Sequence, residues 1–126
     1  MSDIQPQLGF FKITVADATK AQRFYEQAFG MVASEPILGN GFREHVLKSP
    51  GNDFSLILFE KDGLEITRGN SYGPIGFNIA DMDTALARAE AAGAKANGPP
   101  LTFGDVSYVF IESPDGHVIE LIKRPD

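Results

Sequence analysis

One spacing constrains this chain more than any other feature. Asp17 recurs as Asp81, 64 positions on. The same offset pairs Ala16 with Ala80, Ala21 with Ala85, Glu26 with Glu90 and Ala28 with Ala92. It also pairs Ser49-Pro50 with Ser113-Pro114. A shared cap, helix face and turn at one constant offset mark an internal duplication. With 126 residues in all, each copy has about half of a small domain. Neither copy has enough chain to bury its own apolar surface, so the two must share one core. The folded chain should expose about 6,600 Å² of the roughly 20,000 Å² that the unfolded chain exposes.

Within each copy the hydrophobic period changes in the same order. Phe11, Ile13 and Val15 alternate with Phe10, Lys12 and Thr14, the period of a strand. Asp17 then offers an N-cap, and Ala21, Phe24, Tyr25 and Ala28 recur at helical spacing up to Gly30. Residues 31–38 predict a strand interrupted at Pro36. Gly39-Asn40-Gly41 predicts a hairpin turn, with strands over 42–47 and 54–59 beyond it. The polar, Gly-containing stretch 60–73 reads as a linker or a flap over a site. The order then repeats. A strand carries Ile75, Phe77 and Ile79, and Asp81 caps a helix with Met82, Ala85, Leu86, Ala89 and Ala92 on one face. A strand over 94–102 is broken by Pro99-Pro100, and strands follow over 106–111 and 117–122. The prediction is an α+β fold of two tandem βαβββ modules: 8–60, a loop over 61–73, and 74–124. Together they should form a curved mixed sheet of about eight strands, with helices on one face and a cup on the other.

Composition narrows the chemistry. The chain has no cysteine, which excludes disulfides, cysteine-based zinc or iron–sulfur sites and a thiol nucleophile. It has only two histidines, His45 and His117. A net charge of −6 argues against nucleic acid as a partner and favours a neutral or cationic small ligand. Met1–Gln7 has neither a basic nor an apolar leader pattern, and no apolar run approaches the ~20 residues of a membrane helix. A soluble cytoplasmic protein without a membrane partner is expected. Gly69-Asn70-Ser71-Tyr72-Gly73 has the letters of a nucleophile elbow but lacks the strand before it and the helix after it.

Val15-Ala16-Asp17, Phe24-Tyr25, Phe29-Gly30-Met31, Ser113-Pro114-Asp115-Gly116 and Ile119-Glu120-Leu121, in this order, resemble the vicinal oxygen chelate superfamily. That superfamily includes glyoxalase I, bleomycin-resistance proteins and extradiol dioxygenases. The resemblance runs from about residue 8 to residue 123 and implies a homodimer. It also implies four metal-ligand positions, one on the first and one on the last strand of each module. They fall on Phe10, on Leu56 (Ile57 if the alignment slips by one), on Pro74 and on Glu120. Only Glu120 has a side chain that binds a divalent ion, and one carboxylate does not hold a catalytic metal. The expectation is therefore a degenerate metal site and no metal cofactor.

Candidate catalytic residues are His45, mid-strand beside Glu44, and Glu120. Candidate ligand-binding residues are Phe10, Lys12, Asn78, Tyr108 and Leu56. Lys12 is also a candidate partner for Glu120. Two functions are open at this point. One is sequestration of an apolar or cationic compound in the manner of bleomycin-resistance proteins. The alternative is a glyoxalase I-like lyase or isomerase acting on a small carbonyl substrate, with His45, Glu44 and Glu120 as acid–base groups.

Overall fold

The computed structural model describes residues 5–125; the leader reading of Met1–Gln7 falls partly outside them. Module one comprises β1 (Phe10–Thr14), α1 (Ala18–Phe29), β2 (Val32–Ala33), β3 (Ile37–Gly39), β4 (Phe42–Lys48) and β5 (Ser55–Lys61). Module two comprises β6 (Ile75–Asn78), α2 (Met82–Ala91), β7 (Lys95–Ala96), β8 (Leu101–Phe103), β9 (Val106–Glu112) and β10 (Val118–Lys123). The duplication predicted from the 64-residue offset is thus present element by element.

The strands form two five-stranded sheets rather than one sheet of about eight. Their orders are β1-β5-β4-β2, with β3 also on β4, and β6-β10-β9-β7, with β8 also on β9. β1–β5 and β6–β10 are parallel, and the other pairs are antiparallel. The strand count rises because prolines split two predicted strands. Pro36 lies between β2 and β3, and Pro99-Pro100 lies between β7 and β8. Proline supplies no N–H to a ladder, so pairing stops there.

The local signals act as expected. Asp17 Oδ1 accepts from Lys20 N at 3.0 Å and Asp81 Oδ1 from Thr84 N at 3.1 Å. Gly30 closes α1 in the left-handed conformation, φ 66°, which a side chain would strain. Gly41 has φ 80° in the β3–β4 hairpin.

A single core joins both modules. Val15, Leu47 and Leu58 from module one pack in one cluster with Val109, Ile111, Ile119 and Leu121 from module two. α1 contributes Ala18, Ala21, Phe24, Tyr25 and Ala28. In α2 only Ala89 is fully buried, with Met82, Ala85, Leu86 and Ala92 packed partly against the cluster. Two contacts lock the modules across the helices. The Phe29 ring stacks on Phe77 with centroids 3.9 Å apart, and Arg88 Nε donates to Gln27 O at 2.7 Å.

Candidate functional site

Strand parity decides which side chains leave the core. Ile13 and Val15 are buried, so Phe10, Lys12 and Thr14 occupy the other face of β1. β5 runs parallel to β1 with Lys12 opposite Ile57, which places Ile57 on that same outer face. In module two, Ile119 and Leu121 are fully buried, so Glu120 faces outward between Gly76 of β6 and Phe110 of β9.

Register also shows which residue of module one corresponds to Glu120. Phe11 pairs with Leu56, and Ile75 pairs with Ile119. The first strands are therefore offset by 64, from 11 to 75, but the last strands by 63, from 56 to 119. The turn after Ser49 has one more residue than the turn after Ser113. In a strand, one residue exchanges the faces. Leu56, expected at a ligand position, is instead a core residue at 5% exposure, and Ile57 is the counterpart of Glu120.

The four positions are then Phe10 and Ile57 in module one, Pro74 and Glu120 in module two. Each pair lies diagonally across one parallel strand pair, where side chains converge. Three of the four offer no donor atom. Among the described residues, no group of three or more His, Asp or Glu is placed to hold a metal ion. This donor set does not fit a catalytic divalent cation.

What surrounds these positions differs between modules. In module one, Lys12 Nζ lies 2.5 Å from Glu44 Oε2 and 5.5 Å from the centre of the Phe59 ring. Lys12 is therefore paired within its own module and not with Glu120. Phe42 lies against Phe59, with ring centres 5.9 Å apart. In module two, Glu120 shares its face with Phe110 and Tyr108, whose rings meet edge to face at 5.8 Å. Asn78 Oδ1 accepts from Arg124 Nη1 at 2.6 Å. The outer face of module two thus has an aromatic wall with Glu120 opposite it and Glu112 further along the same face of β9.

A second concavity lies between the modules. A cavity of about 730 Å³ opens between β1, β6 and the turn after Ser49. Phe10, Leu56 and Asn78 line it, together with Phe54, Tyr72 and Phe77. Leu56 faces the core yet also borders this groove. Tyr72 had no signal in the sequence beyond its place in the polar loop; here its ring meets Phe11 edge to face at 5.8 Å. The loop is tied down by Arg68, which donates to the Asp115 carbonyl and approaches His117 Nε2 at 3.4 Å.

His45 stands apart from these groups. It lies on the core face of β4, opposite Leu58, at 7% exposure. Its Nδ1 lies 2.5 Å from Gln22 Oε1 of α1. The Gln22 amide in turn donates to Glu26 Oε2 at 3.0 Å, which fixes Oε1 as the acceptor toward His45. Glu120 has no such chain around it.

Known proteins share this fold. Residues 7–121 match the family model described as the Glyoxalase/Bleomycin resistance protein/Dioxygenase superfamily. Among solved structures, a glyoxalase family protein from Bacillus cereus superposes with a TM-score of 0.84 at 15% identity, covering 96% of this chain and 95% of that one. The antibiotic-binding protein TnmS3 from a Streptomyces species gives 0.78 at 23% identity, with 98% and 100% covered. Glyoxalase I from Zea mays gives 0.84 at 21% identity, covering 95% of this chain but only 45% of the maize protein. This chain therefore spans about half the length of that enzyme. Among functionally curated sequences, none matches. The fold, the duplication and the match over residues 7–121 together place the chain in the Glyoxalase/Bleomycin resistance protein/Dioxygenase superfamily.

Proposed function

We propose that this chain is a metal-independent small-molecule binder of the bleomycin-resistance kind. The observation that carries the proposal is the donor set. Phe10, Ile57 and Pro74 stand where metal ligands are expected, and they line an apolar surface instead. Of the four positions only Glu120 keeps a carboxylate, beside Phe110 and Tyr108 and on the same face as Glu112. An aromatic wall flanked by carboxylates suits a flat apolar compound carrying a cationic group. The fold is shared by an antibiotic-binding protein and by glyoxalase I, and the missing metal donors favour the binding reading.

A homodimer is part of the proposal. The chain exposes 8414 Å², against about 6,600 Å² for a folded monomer of this mass. Large apolar side chains are among the exposed ones: Phe10 is 54% exposed and Phe103 80%. Pairing two copies would cover such surface and close the outer faces into a cup. Light scattering on the purified chain measures the assembly directly.

The function is tested on protein stripped of metal. Thermal unfolding is followed with a panel of aromatic cations, bleomycin included, and binding should raise the midpoint. Glu120→Gln should weaken a cationic ligand about tenfold, the order expected for one charge-assisted contact. In parallel, nickel- or zinc-loaded protein is assayed for glyoxalase-type turnover. Stoichiometric metal that Glu120→Gln removes, accompanied by turnover, would overturn the proposal in favour of a lyase.

A further inference from the structure

Another cavity opens beside α1. It measures about 190 Å³ and lies between the first turns of α1 and the turn Ser113–His117. Val15, Ala21, Phe24 and Pro114 supply its apolar wall, and Tyr25 and His117 its polar one. Val15, Ala21 and Phe24 belong to the core face, so this cavity does not share the outer face that presents Glu120.

Among the described residues, two polar atoms here have no hydrogen-bond partner. Tyr25 is 1% exposed, and its Oη makes no hydrogen bond. Burial pushes the phenol well above its ordinary range, against a smaller opposing pull from the nearby Ser113 hydroxyl. His117 Nδ1 is likewise buried and unpartnered. A guanidinium only donates, so the approach of Arg68 Nη1 at 3.4 Å makes His117 Nε2 the acceptor and leaves the proton on Nδ1. Asp115 Oδ2 lies 3.5 Å from Nδ1, outside hydrogen-bond geometry. Burial and Arg68 both hold the imidazole neutral by lowering its pKa. The cavity therefore presents two donors, Tyr25 Oη–H beside Ser113 and His117 Nδ1–H beside Asp115, neither of which completes a hydrogen bond there. Leaving a buried donor unpaired is costly, so such a pair asks for an acceptor.

Charge selects among acceptors. The carboxylates of Asp17 and Asp115 border the cavity, but Lys20 lines it too and Arg68 pairs with Asp115, so the charges balance and the wall offers no net charge to draw in an ion. The backbone amides that could bind an anion are already used. Ala16 N donates to Asp115 Oδ1, Ala18 N to Glu60 Oε1 and Lys20 N to Asp17 Oδ1. A cation would find two donors pointing at it. A neutral oxygen with two lone pairs satisfies both. An apolar cavity of about 150 Å³ holds benzene, so this one takes a body of that size with a small substituent. We propose that this cavity is a second ligand site, taking a small neutral carbonyl compound whose oxygen accepts from Tyr25 and His117.

The test uses the intact protein and two probes of matched size, acetophenone and benzoate. Backbone amide resonances are followed by NMR during titration. Acetophenone should shift residues of the α1 first turn and of 113–117 saturably, and benzoate should not. Tyr25→Phe should weaken acetophenone at least fivefold, His117→Gln likewise, and Glu120→Gln should leave it unchanged. The unliganded Tyr25→Phe protein should unfold at the same temperature as the parent or higher, because an orphaned hydroxyl is removed. The site is refuted if acetophenone causes no saturable shift in these segments, or if benzoate binds there equally well. A midpoint for Tyr25→Phe several degrees below the parent also refutes it, because the hydroxyl is then already satisfied by bound water.

Discussion

His45 and Gln22 give a sharp test of whether His45 holds the fold together or acts on a ligand. Removing the Gln22 amide leaves His45 Nδ1–H facing α1, at a residue only 7% exposed. A buried donor deprived of its partner costs about 1–3 kcal/mol. Alanine is the strongest helix former, so none of that loss would come from helix propensity. Removing the imidazole instead is cheaper. Gln22 is only partly buried, and a leucine at 45 continues the apolar face formed by Leu47 and Leu58. His45→Leu should cost less than about 1 kcal/mol. In the double variant the orphaned donor no longer exists, so its loss should approach that of His45→Leu alone. The cycle should therefore show a coupling of about 1 kcal/mol or more. Urea unfolding of the four proteins measures it, with equal slopes as the check on two-state behaviour. Losses that simply add, to within about 0.5 kcal/mol, would refute a structural role for the contact. So would a His45→Leu protein of normal stability that no longer binds the ligands retained by the parent.

Three further outcomes follow from the fold. Asp17→Ala and Asp81→Ala should each cost about 1 kcal/mol, and the double variant the sum, because each caps a different helix; thermal unfolding of the three variants tests this. Phe29→Ala should cost about 3 kcal/mol by opening the stack on Phe77, and denaturant unfolding should show the two modules still melting together. The His117 pKa is lowered on folding, so the native state binds its proton less readily than the unfolded chain does. The stabilising contribution of neutral His117 is complete above the ordinary value of 6.5 and is lost as pH falls below it, down to the folded value. His117→Gln should flatten the stability profile in that window, as followed by unfolding at successive pH values. An unchanged profile would assign the acid sensitivity to other groups.

Local chemistry made much of the fold legible before any coordinates. Asp17, Gly30, Asp81 and the Gly39–Gly41 turn act within a few residues of themselves, so their signals survive in the sequence. The alternation in β1 placed Phe10 and Lys12 on the outer face for the same reason. Tertiary partners were not legible. Nothing near His45 in the chain names Gln22, 23 residues away, as its partner. The alternation that faces Lys12 toward the cup does not say that Glu44 will reach it before Glu120 does. Leu56 was misplaced by a single residue in a turn, a change that a constant offset cannot register. Tyr25 reads as one more aromatic on a buried helix face; its polar end becomes visible only when the atoms around it are counted.

The Arg68 contact changes what the connection between the modules is for. The peptide bonds of the loop join β5 to β6, but Arg68 already fastens the later part of that loop to the Asp115 carbonyl in its own half of the chain. Asp62 to Glu65, ahead of it, are all exposed. A cut there would leave each fragment with a complete module of five strands and one helix, and Arg68 still beside its partner. The shared core, with Phe29 on Phe77, would draw the fragments together again. This chain is therefore suited to fragment complementation: two separately made halves that recover the native spectrum on mixing, at a rate set by their concentration.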